Sequence, residues 1–141
     1  MTLTDALAAL RMRSEPVPMP LRLPTLAEVD AAEVELGVHF HSDYRRFLLE
    51  AGDVVFGTLE PAQVTPDAER LSLVDMTHDA REFMDLPKRL FPICEDNGDY
   101  YCMRASGKSS EVIYWSHDGA SDERWDDLAA WIEMVWIGES E

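Results

Sequence analysis

Three carboxylates crowd one short stretch of this 141-residue chain: Glu95, Asp96 and Asp99, gathered around Asn97-Gly98 within the run Phe91 to Cys102. Acidic groups this close can ligate a hard cation, attract a basic partner, or keep a turn in water. Asp96-Asn97-Gly98-Asp99 matches a piece of a calcium loop, but the alternating ligands and the closing bidentate glutamate of the twelve-residue pattern are missing. A metal is therefore not expected there.

Other candidate chemistry is thin. His117-Asp118 follows a strand-like run, and Cys102 offers a nucleophile, yet neighbours in sequence need not face each other, and no Gly-x-Ser-x-Gly elbow presents a serine. His39 and His41 fall on one face of an extended segment, a two-histidine half-site for a metal with no third ligand signalled nearby. Two solvated imidazoles in a loop are the plainer reading. There is no glycine-rich phosphate loop and no dinucleotide fingerprint. The expectation is no catalytic residue, no metal and no cofactor.

Charge narrows the partners. Twenty-eight acidic against twelve basic residues give a formal charge of −16 and a pI near 4.4, which opposes binding to nucleic-acid phosphates or anionic lipid. From position 118 onward, Asp118, Asp122, Glu123, Asp126, Asp127, Glu133, Glu139 and Glu141 face Arg124 alone. Such a surface keeps the chain soluble and steers association with a basic protein.

The elements that must position these groups read as one domain, which the length favours. The Asn-Gly pair tolerates positive φ at both positions, so Phe91 to Cys102 is predicted as a hairpin with an aromatic second strand. Thr4 to Met12 suits a short helix, but Pro16, Pro18, Pro20 and Pro24 impose an extended arm. Residues 1–24 are thus read as a proline-rich appendage, which offers a route to a dimer, and the core is expected to start at Thr25.

Thr25-Leu26-Ala27-Glu28 is a capping box, followed by Leu26, Val29 and Leu36 on one helical face and Gly37 as the stop. A second helix begins at Ser42 or Asp43, with Tyr44, Phe47, Leu48 and Ala51 inward and Gly52 at its end. Val54 to Leu59 reads as a strand with a bulge at Gly57, and Asp75 to Met84 as a short helix burying Met76, Ala80 and Phe83 or Met84. Glu111 to Trp115 adds a further strand after a loop at Ala105 to Ser110.

Trp125, Leu128, Ala129, Ile132, Val135 and Trp136 recur at helical spacing, which predicts a final helix lying on the sheet, with Asp122 and Glu123 complementing its amino-terminal dipole. Its tryptophans, Trp131 included, suit a core rather than a ligand cage. Cys94 and Cys102 flank the turn almost symmetrically, which makes a cross-strand disulfide conceivable. The absence of a basic start followed by an apolar run favours reduced, buried thiols and a cytoplasmic location. No apolar run approaches membrane-spanning length.

In this order the elements resemble the SUKH superfamily, the Smi/Knr-type group, over about residues 25–136. The resemblance rests on Thr25-x-x-Glu28, Glu35-Leu36-Gly37, Asp43-Tyr44-Arg45-Arg46-Phe47-Leu48-Leu49, Leu90-Phe91-Pro92-Ile93, Gly98-Asp99-Tyr100-Tyr101-Cys102, and Val112-Ile113-Tyr114-Trp115 with His117-Asp118. Phe40-His41 stands where the family commonly has Leu-Pro, and Ala51-Gly52-Asp53 where it has Asn-Gly-Gly.

The resemblance implies an α+β domain, helices around a small, mainly antiparallel sheet, without enzymatic activity. Bacterial members act as immunity proteins that bind and neutralise a cognate toxin, often a nuclease, and fungal relatives regulate cell-wall synthesis. The expected function is an intracellular immunity protein for a basic toxin. The partner surface is expected at Glu95, Asp96, Asp99, Tyr100, Asp118, Asp122, Asp126 and Asp127. A regulatory or scaffold module is the alternative, and a small ligand-binding domain or enzyme using the His117 region is another.

Overall fold

The computed structural model describes residues 1–140, the side chains of Glu69 and Ala120 excepted; Glu141, the last of the acidic residues counted above, lies outside them. Helix α1 (Leu3–Arg13) opens with a capping box, the Thr2 hydroxyl accepting the Asp5 amide while the Asp5 carboxylate accepts that of Thr2. Two amide donors that a helix start leaves free are satisfied in this way. Helix α2 (Leu26–Leu36) repeats the device with Thr25 and Glu28, as its sequence predicts, and ends at Gly37 with φ of +67°. Helix α3 (Ser42–Ala51) buries Tyr44, Phe47, Leu48 and Ala51, the four residues expected inside.

Five antiparallel strands follow in simple order: β1 (Glu60–Pro61), β2 (Leu90–Asp96), β3 (Asp99–Arg104), β4 (Val112–Ser116) and β5 (Gly119–Trp125). Helix α4 (Leu73–Phe83) lies between β1 and β2 in the chain. A last helix starts as α5 (Leu128–Trp131), widens into π-type turns over Ile132–Ile137 and closes as α6 (Gly138–Ser140). The fold is α+β.

Cross-strand partners share a sheet face and successive residues alternate, so the register sorts the core. Phe91, Met103, Tyr101 and Tyr114 belong to one face. Phe91 meets Phe40 and Tyr44 at ring-centroid distances of 5.3 and 5.5 Å, and Tyr101 meets Trp131 at 5.3 Å. The last helix thus lies on the sheet, and Trp131 and Trp136 are core residues, Trp125 a core-edge one. On the opposite face Trp115 donates its indole N–H to the Met84 carbonyl at 2.9 Å, behind α4.

Several expectations need correction. Residues 1–24 are not a bare appendage, because Ala6, Leu7 and Leu10 of α1 are buried in the common core, and α1 packs on α3 and the last helix. The core therefore begins before Thr25. Leu26, expected inside, is exposed: at 100° per residue it stands roughly 60° around the helix from Val29. In α4, Met76 and Ala80 are buried but Phe83 is exposed, and Met84, just past the helix, is half-buried.

Val54 to Leu59 forms no strand. Its backbone is committed to the chain after α1: the Glu15 amide donates to the Val55 carbonyl at 2.7 Å, and the Gly57 amide to the Glu15 carboxylate at 2.9 Å. Gly57 turns at φ of +64°, and pairing with β2 starts only at Glu60. The sheet also has a strand that the sequence hid. Asp122 and Glu123 belong to β5, an edge strand, and not to a helix start; Asp127 caps the last helix by accepting the Ala130 amide at 2.8 Å. Charged side chains are what an edge strand exposed to water tolerates.

Cys94 and Cys102 are free and buried. Cys94 pairs with Tyr101, the neighbour of Cys102, after a register shift between Pro92 and Cys94. The two thiols therefore belong to opposite faces of the sheet, and the symmetrical spacing around the turn does not bring them together. Burial pushes the Cys94 thiol up to about 12 and the Cys102 thiol higher still.

Candidate functional site

Two hairpin turns meet at one end of the sheet. The β2–β3 turn places Asn97 at φ of +52° and Gly98 at +87°, the left-handed conformations that Asn-Gly tolerates. The β4–β5 turn carries His117 and Asp118, with Gly119 at φ of +99°. Because Tyr100 pairs with Trp115, Asp99 and the β4–β5 turn are neighbours in space.

Asp99 ties them. Its carboxylate accepts the Tyr114 hydroxyl at 2.8 Å and the His117 amide at 2.9 Å, and the His117 ring Nδ1 lies 3.3 Å away. These donors, Tyr114 first, hold the carboxyl below its ordinary range. Burial, followed by the bond to Asp99, pushes the Tyr114 hydroxyl up to about 12. Asp96 accepts the Tyr101 hydroxyl at 3.4 Å.

Beside the turns, Glu60 of β1 stands opposite Glu95 of β2, and Arg70 forms an ion pair with Glu60. Glu60, Arg70, Glu95, Asp96 and Asn97 line a groove of about 590 Å³. One guanidinium faces three carboxylates, so the groove favours a cationic side chain. Glu95 and Asp118 are exposed and Asp96 is half-buried.

The eight expected contact residues thus divide. Glu95, Asp96, Asp99 and Asp118 come together at the turn end of the sheet. Tyr100 is at the same end but only 7% exposed, so it belongs to the core and offers little contact surface. Asp99 is occupied by its three internal partners. Asp122 lies along the β5 edge. Asp126 and Asp127 are at the opposite end, past Trp125, which pairs with Val112 at the start of β4. The expected patch is therefore not continuous, because β5 carries the chain the full length of the sheet between Asp118 and Asp126.

Sequence reasoning missed Glu60, which joins the turn end only through its pairing with Glu95, and Tyr114, whose partner is 15 positions away. Neither leaves a local signal. His117 is closer to Asp99 than to Asp118, whose carboxylate lies 3.7 Å from Nε2, and its side chain is 72% exposed. Cys102, the nucleophile considered with it, is buried on β3. His41 caps α3, its Nδ1 accepting the Asp43 amide at 3.0 Å, so it is committed to the helix start. Among the described residues, no three His, Cys, Asp or Glu side chains form a group that could hold a metal ion. No described helix is long and apolar enough to cross a membrane.

The family model SUKH_5, described as SMI1-KNR4 cell-wall, matches residues 3–137. A solved structure of a protein from Pseudomonas syringae pv. tomato superimposes with a TM-score of 0.87 at 32% identity, covering 96% of this chain and 98% of that one. The search of curated proteins found no match. The matched span includes α1, in keeping with the burial of Leu7 and Leu10.

Proposed function

This chain belongs to the SUKH_5 family, the SMI1-KNR4 cell-wall group, and from that premise we propose that it is a protein-binding module without enzymatic activity, acting as an immunity protein. Its partner is a basic toxin of the nuclease kind. The observation that carries the reading is the junction of the two turns through Asp99, which gathers Glu95, Asp96 and Asp118 beside the acidic groove at Glu60. A nuclease has a cationic substrate groove, and an inhibitor with a formal charge of −16 complements it. Carboxylates at the rim raise the association rate, while affinity comes from whatever apolar anchors the partner inserts.

His117 is exposed in the β4–β5 turn while Cys102 is buried on β3, so this thiol and this imidazole do not form the pair that a Cys-His enzyme requires, which supports the non-enzymatic reading. The test is capture of partners by the full chain co-expressed with the products of its flanking genes, at low and then high salt. A basic protein that is toxic alone and silent in the complex is the expected result. Recovery of a non-toxic enzyme or signalling protein would move the assignment to a regulatory or scaffold module.

A further inference from the structure

Three arginines converge on a cavity of about 210 Å³ at the other end of the sheet: Arg89, Arg104 and Arg124, over a floor of Leu90, Ile113 and Trp115. The register explains the convergence. Leu90 pairs with Arg104, and Cys102, Ile113 and Arg124 form one cross-strand row, so these side chains share the face opposite Tyr101. Arg81 fixes the approach to β2 by donating to the Lys88 and Leu90 carbonyls at 3.4 and 3.2 Å, on either side of Arg89.

The charge balance at this cavity inverts that of the rest of the molecule. Arg11, Arg22, Arg45, Arg46 and Arg70 each pair with at least one carboxylate of their own. Here Arg104 and Arg124 donate to the same oxygen of Glu111, at 3.1 and 3.3 Å. Arg89 enters no ion pair among the described residues. Three guanidiniums against one carboxylate leave an excess of two positive charges in a strongly acidic protein.

We propose that this cavity binds a small phosphate monoester with an apolar or aromatic body. A monoester carries close to two negative charges near neutral pH, which matches the excess. The guanidinium fork suits its oxygens, and the Leu90, Ile113 and Trp115 floor accepts the body. The site lies away from the acidic groove, so the proposal stands apart from the toxin-binding reading.

The test uses the full-length protein and three probes, phenyl phosphate, inorganic phosphate and benzoate. Binding is followed by NMR of the arginine Nε–H signals. The expected result is saturable shifts of the Arg89, Arg104 and Arg124 signals, with phenyl phosphate tighter than both other probes. Arg89→Gln and Arg124→Gln alter exposed side chains, and each should weaken phenyl phosphate at least tenfold, while Arg46→Gln, on α3, leaves it unchanged. Lack of saturation, benzoate binding as tightly as phenyl phosphate, or undiminished binding by the folded Arg89→Gln, Arg124→Gln double variant would overturn it.

Discussion

The Asp99 carboxylate accepts the His117 backbone amide at 2.9 Å, and this bond fastens the β2–β3 turn to the β4–β5 turn across 18 positions of sequence. Asp99 is thus a structural residue of the acidic end rather than a free contact. Asp99→Ala should cost about 1–3 kcal/mol in urea denaturation at neutral pH, since it strips partners from the Tyr114 hydroxyl and the His117 amide together. The sign with pH follows from the lowered carboxyl: its contribution is complete above the ordinary carboxylate range and is lost as pH falls through the folded-state value. Asp99→Asn should therefore show a shallower acid loss than the parent. Equal acid slopes would remove Asp99 as its source.

Rim charge acts on encounter rate. Glu95→Gln, Asp96→Asn and Asp118→Asn combined should slow association with a basic partner several-fold at low salt and flatten the salt dependence, with a smaller effect on dissociation. Asp126→Asn, at the opposite end, is the control. Stopped-flow association that does not change in the triple variant excludes this end of the sheet from the interface.

Helix α1 is a core element. Leu10 is 0% exposed, and Leu10→Ala should destabilise by about 2–5 kcal/mol, as does a cavity in any packed interior. Removing the segment through Arg13 should expose the surfaces of α3 and the last helix that it covers and abolish cooperative unfolding. A truncated chain that melts like the parent would contradict this.

The proline arm is tied down by charge. The Arg22 guanidinium grips both Glu28 oxygens at 2.8 Å and Asp67 at 2.9 Å. Together with the Thr25 amide, it lowers the Glu28 carboxyl to about 2. An NMR titration should place the Glu28 midpoint far below that of an ordinary glutamate, and Arg22→Gln should raise it toward the normal range. The stabilisation linked to Glu28 is present above its unfolded-state value and vanishes as pH falls toward 2. Because the pair is exposed, salt should weaken it.

Cys94 and Cys102 should stay unlinked under mild oxidation and unreactive toward thiol reagents until the protein unfolds, because both are buried, on opposite sheet faces, with raised thiol values. Intact mass after oxidation, read against a denatured control, checks this. A two-hydrogen loss in the native sample would disprove the register argument.

Local chemistry was legible from the amino acids alone. The Thr25-Glu28 capping box, the Gly37 stop, the inner face of α3 and the Asn97-Gly98 turn each depend on residues within a few positions of one another, so their types and spacing decide them. The α+β class follows from the order of such elements. Pairing across the chain decided the rest. The strand β5 is hidden in sequence because Asp122, Glu123 and Arg124 are exposed charged residues on an edge, where apolar alternation is not required. Cys94 and Cys102 part because of a register shift that no composition signals. The acidic end and the three-arginine cavity are each assembled from separate strands and turns, and only the sheet, by fixing which backbone lies beside which, could bring their charges together.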